Sequence, residues 1–163
     1  AKECCIELNS MSKSHNMPGW RVGMLAANAE FVSWILKVKS NIDSGTFRAV
    51  QLAAAAAMDN DEDWHREHNV RRYAERRTLA ESIMQALGCR FDRDQTGLFL
   101  WGRIPDALTD AEELTERALH EADVFITPGG IFGQNGRRYV RISLCADENR
   151  MSEALARIQN VFA

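Results

Sequence analysis

Two hydrophobic periods divide the first part of the chain. Residues 4–8 (CCIEL) and 21–26 (RVGMLA) read as short strands, separated by a polar loop over 9–19 that is rich in Ser and Asn. Residues 29–39 (AEFVSWILKVK) carry apolar side chains at helical spacing until the turn formers of 40–45 interrupt them. An alanine-rich segment over 49–58 predicts a second helix, whose small side chains allow close packing. The acidic run 59–63 breaks the pattern, and its carboxylates suit the start of a long helix over 63–87 that Gly88 ends.

Beyond this helix the pattern predicts strands over 89–92, 97–103, 123–126 and 139–144. A helix opened by Thr109 or Asp110 and running to Ala122 lies among them, and a last helix covers about 147–162. Helices alternating with strands of an antiparallel-capable sheet make a small α+β domain. The expected boundary falls in the acidic run, giving domains 1–60 and 61–163. The first strand has nothing before it to cover its edge, as expected of a chain whose first half lies elsewhere.

At 163 residues the chain can form one domain, or a small domain with part of a neighbour. A formal charge of −3 gives no electrostatic reason to expect a nucleic-acid partner. Cys4, Cys5, Cys89 and Cys145 form no C-x-x-C pair and read as buried reduced thiols. Without an apolar run near eighteen residues or a signal peptide, the expectation is a soluble cytoplasmic protein with no membrane partner, and no metal site is visible.

The chemistry-bearing residues concentrate in 10–23 (SMSKSHNMPGWRVG). Lysine, once neutral, forms an imine with an aldehyde, whereas arginine stays charged and grips phosphate oxygens bidentately. Lys13, flanked by the hydroxyls of Ser10 and Ser12 and followed by Arg21, offers both functions. On spacing alone a structural loop stays open, as does a serine nucleophile at Ser10 with Lys13 as its base, although the companion S-D-N and K-T-G motifs are absent. Downstream, Arg141 shares a strand face with Tyr139 and Ser143, opposite Val140, Ile142 and Leu144, and can hold a carboxylate in two-point fashion. Arg137 and Arg138 read as surface charges. His65, His68 and His120 read as solvated, and Trp20, Trp34, Trp64 and Trp101 as packing.

The stretch Ser10-x-Ser12-Lys13 with Asn16-Met17-Pro18-Gly19-Trp20-Arg21-Val22-Gly23 resembles the S-x-S-K-x-x-x-M-x-G-W-R-x-G signature of fold-type I, class I/II aminotransferases that depend on pyridoxal 5'-phosphate. The resemblance implies an α/β and α+β organisation: the end of the large cofactor-binding domain, then the small C-terminal α+β domain. It implies that Lys13 carries the cofactor as a Schiff base and moves a proton, that Ser10 and Arg21 bind its phosphate, and that Ser12 lines the same pocket. Tyr139 to Leu144 resembles the late strand whose arginine, here Arg141, binds the substrate α-carboxylate.

Residues 127–133 (TPGGIFG) resemble the glycine loop that approaches substrate, and 96–101 (TGLFLW) the strand bordering the active-site mouth, with Phe99 and Trp101 expected in the core. Residues 37–47 resemble the interface loop of the alanine and LL-diaminopimelate aminotransferase branch. They lack the side-chain-binding arginine of aspartate aminotransferases between Ser40 and Phe47.

Amino acids and 2-oxo acids are thus the implied substrates, and a homodimer the implied full-length assembly. The rest of the cofactor pocket is expected upstream, so this chain alone is expected to be inactive. Elimination or decarboxylation on the same cofactor, or a non-enzymatic cofactor-binding regulator, remain alternatives.

Overall fold

A computed structural model describes residues 3–162, which form two compact units that part between Asn69 and Val70. In the first, β1 (Glu7–Ser10) pairs antiparallel with β2 (Gly23–Ala26), with Ser10 opposite Gly23. A Cβ on Gly23 would stand 2.6 Å from the Asn9 carbonyl oxygen, so the pairing requires glycine there. Both strands start later than expected, and Arg21 precedes β2 rather than opening it.

The short helix α1 (Met11–Ser14) follows β1, and α2 (Ala29–Ile42) is capped by the Asn28 side chain accepting from Phe31 N at 2.9 Å. Asp43 ends α2, accepting from Lys39 and from Gly45 N. The Lys39 ammonium chiefly, with that backbone N–H, holds its carboxyl below the usual range. The alanine-rich α3 (Arg48–Asp59) packs Ala54 and Ala57 against Met11, Met17 and Val22. Small residues on this helix therefore let the loop carrying Lys13 settle closely onto it.

The expected long helix is present but not uniform. It begins as α4 (Asp61–Trp64), passes through a π-helical stretch (His65–Arg72) and continues as α5 (Tyr73–Ala86). The units part within this run, beyond the acidic break near 60, because Trp64 and Asn69 hydrogen-bond back to Ser14 of the first unit.

The second unit is an antiparallel sheet in the order β3–β4–β6–β5, formed by Arg90–Phe91, Phe99–Arg103, Tyr139–Ser143 and Thr127–Pro128 respectively. Leu100, Val140 and Ile142 face a core shared with α5, α6 (Ala111–Ala122) and α7 (Glu148–Phe162). Asp110 is the N-cap of α6, accepting from Glu113 N at 3.2 Å. The strand expected over 123–126 is absent: Asp123 adopts a left-handed conformation that ends α6, and the pairing falls instead to Thr127–Pro128.

Arg138 and three of the four cysteines differ from expectation. Arg138 is no loose surface charge, since its guanidinium donates to the carbonyls of Leu108 (2.5 Å) and Pro105 (2.9 Å) and ties down the turn before α6. Replacing it with alanine strands those acceptors, and a loss of about 1–3 kcal/mol is expected in chemical denaturation. Of the cysteines only Cys89 is buried, because it points into the α5–sheet core; Cys4, Cys5 and Cys145 lie in exposed stretches. Burial pushes the Cys89 thiol up to about 12. A thiol reagent near pH 8 should therefore modify Cys145 readily and reach Cys89 only after denaturant is added.

Candidate functional site

Both Lys13 and Arg21 lie in the single connection between β1 and β2, with Ser10 and Ser12 at its start. The Ser10 side chain caps α1 by accepting from Ser12 N at 3.2 Å, while its hydroxyl proton stays available to donate. Met11 N donates to Val22 O at 3.3 Å, holding the two ends of the connection side by side. Lys13 is exposed, and its amine makes no hydrogen bond or ion pair among the described residues. Arg21 is also exposed and takes a left-handed backbone conformation (φ 51°, ψ 47°) just after the 3-10 turn Pro18–Trp20.

Such a conformation costs a non-glycine residue roughly 1–2 kcal/mol and marks a position the surrounding fold over-determines. The Arg21 guanidinium donates to Pro18 O at 3.0 Å and meets no carboxylate among the described residues. One amine, one guanidinium and serine hydroxyls therefore share one loop without an acid to neutralise them. That donor set fits a phosphorylated aldehyde: the amine suits the carbonyl carbon, and the other groups suit the phosphate oxygens.

The second unit presents a separate arrangement on the outer face of its sheet. Tyr139, Arg141 and Ser143 face outward and Val140 and Ile142 inward, following the expected alternation. The Arg141 guanidinium lies over the rings of Phe99 (4.2 Å) and Phe132 (4.4 Å), and its Nε is buried without a hydrogen-bond partner among the described residues. Trp101 stacks on Tyr139 at 5.6 Å on this same face. Phe99 is thus no core residue: Leu100 and Gly102 take the inward positions of β4 and leave Phe99 38% exposed. Strand parity carries that signal, because Phe99, Trp101 and Arg103 alternate against Leu100 and Gly102.

The glycine loop makes its close approach to the protein itself. A Cβ on Gly129 would lie 2.4 Å from Gly136 O and 2.9 Å from the Trp101 ring. Trp20 and Trp34 are half exposed rather than packed, at 50% and 53%. His65 and His68, by contrast, are half buried, His65 edge-on to His15 and His68 stacked on Trp64, because with Trp64 and Asn69 they share one face of their helix. Among the described residues no three metal-binding side chains converge, and no helix is long and apolar enough to cross a membrane.

A strand pair joined by the lysine-bearing connection and followed by an antiparallel α+β unit matches the fold-type I architecture of solved aminotransferases. The chain belongs to the class I and II aminotransferases, whose family model matches residues 1–158. It is 40% identical over 162 residues to an LL-diaminopimelate aminotransferase of Moorella thermoacetica, covering 99% of this chain and 41% of the relative. A second LL-diaminopimelate aminotransferase, from Maridesulfovibrio salexigens, is 37% identical over 161 residues with the same coverage of 99% and 41%. Among solved structures, apo BacF from Bacillus subtilis superposes with a TM-score of 0.81 at 31% identity, covering 97% of this chain and 40% of that one. The chain thus spans about two fifths of the length of the curated relatives it matches.

Proposed function

We propose that this chain is the C-terminal part of a pyridoxal-phosphate-dependent aminotransferase, the end of its large domain giving way to the small one within the helical run that starts at Asp61. The observation that carries the reading is the loop pairing an unengaged Lys13 amine with the Arg21 guanidinium and serine hydroxyls. Lys13 holds the cofactor through Nζ, Ser10 and Arg21 bind its phosphate, and Ser12 lines the pocket. When bound, pyridoxal phosphate supplies the electron sink for chemistry at the amino-acid α-carbon. Displaced by substrate, the Lys13 amine is the base that takes up and returns a proton at Nζ. Arg141 grips the substrate carboxylate with the two-point geometry that guanidinium allows, supported by contact with two phenyl rings.

The substrates are an amino acid and a 2-oxo acid. LL-diaminopimelate is the first to assay, because the relatives carry that name. Exposed apolar side chains on and after α2, among them Val38 (62%), Ile42 (78%) and Phe47 (73%), support a homodimer of the full-length protein, since patches of this kind mark contact surfaces. A cytoplasmic address accords with that metabolic role. The chain by itself is expected to bind cofactor without transaminating, because it spans only two fifths of its relatives.

Product analysis of the full-length protein tests the reaction type. Transamination yields the 2-oxo acid with one equivalent of cofactor amine per half-reaction. Release of ammonia and pyruvate, or of carbon dioxide, would replace this reading with elimination or decarboxylation.

A further inference from the structure

We infer that Trp64 and Asn69 are positioning residues that aim Lys13, by clasping the carbonyl of the residue that follows it. The inference rests on Lys13 being the cofactor-bearing residue. Ser14 O accepts from Trp64 Nε1 at 2.8 Å and from Asn69 Nδ2 at 2.8 Å, which fills both of its lone pairs. Helix α1 spans one turn, so its last carbonyls have no partner within it and it is too short to persist unaided. Buried Met11 and Met17 fix the flanks of the loop on α3. The clasp fixes the backbone beside Lys13, whose own side chain is exposed and anchors nothing.

The donors are themselves held. Asn69 Nδ2 lies 2.6 Å from His65 Nδ1, so an unprotonated Nδ1 accepts from the same amide that reaches Ser14 and sets its orientation. The Trp64 ring stacks on His68 at 4.0 Å with 13° between planes, which directs its N–H. Trp64, His65, His68 and Asn69 lie on one side of a helical run that is π-wound from His65 onward, and π turns recur at functional sites. A lysine whose Cα drifts by an ångström loses the alignment that proton transfer needs.

The test uses the full-length protein loaded with pyridoxal phosphate and two variants: Trp64→Phe, which keeps the stacked ring and removes the N–H, and Trp64→Phe combined with Asn69→Ala. Both should still trap cofactor on Lys13 with borohydride. The double variant should lose about tenfold to a hundredfold in kcat with KM nearly unchanged, and the single variant a smaller part of it. The pH midpoint of the Schiff-base absorbance should shift in the same order, a readout that loss of stability does not move. Wild-type kcat and midpoint, with only a lowered melting temperature, would overturn the inference. Should the double variant fail to fold, an unchanged kcat and midpoint in Trp64→Phe would overturn it equally. Absence of any Schiff base on Lys13 in the unmutated protein would instead remove the reading on which it rests.

Discussion

Lys13→Ala in the full-length protein should lower transamination by about a thousandfold or more, because one side chain supplies both the covalent hold on the cofactor and the base that moves the proton. Without cofactor the melting temperature should stay near that of the cofactor-free parent: Lys13 is exposed, and its amine engages no partner among the described residues. Lys13→Arg is the sharper variant. It preserves the positive charge beside the phosphate donors, yet a guanidinium does not condense with an aldehyde, so this variant should be nearly as inactive. Activity retained by Lys13→Arg would mean that the lysine acts only as a charge.

Arg141→Ala should raise KM for the amino acid by about a hundredfold, since charge-assisted hydrogen bonds contribute about 1.5–3 kcal/mol. Cofactor binding should be unaffected. The side chain is already arranged to take a carboxylate, because Phe99 and Phe132 both contact its guanidinium and the buried Nε has no acceptor among the described residues. Arg141→Lys should recover little, because an ammonium offers a point charge where a planar fork is needed. Steady-state kinetics with the amino acid varied at saturating 2-oxo acid separates KM from kcat. An unchanged KM in Arg141→Ala would assign the carboxylate to another residue.

Much of this is legible in the sequence because the relevant signals are local. The cap Asp110, the stop Gly88, the alternation through Arg141 and the spacing from Lys13 to Arg21 each depend on a few neighbouring residues. Where sequence and structure part, the cause is different. His65 and His68 are assigned to solvent by residue type alone, whereas ring contacts with His15 and Trp64 leave both half buried. Residue type alone places Phe99 in the core, although strand parity turns it outward onto Arg141. The Arg138 knot and the Ser14 clasp join residues about 30 and 50 apart, and no local pattern encodes such pairings.

The central claim is that Lys13 carries the cofactor. The sequence contains four lysines, Lys2, Lys13, Lys37 and Lys39, so the claim has competitors within the same chain. Reduction of the pyridoxal-phosphate-loaded protein with borohydride, followed by peptide mapping in a mass spectrometer, decides among them. One phosphopyridoxyl group on Lys13 is the predicted result. Label confined to another lysine, or none on this chain, would contradict it.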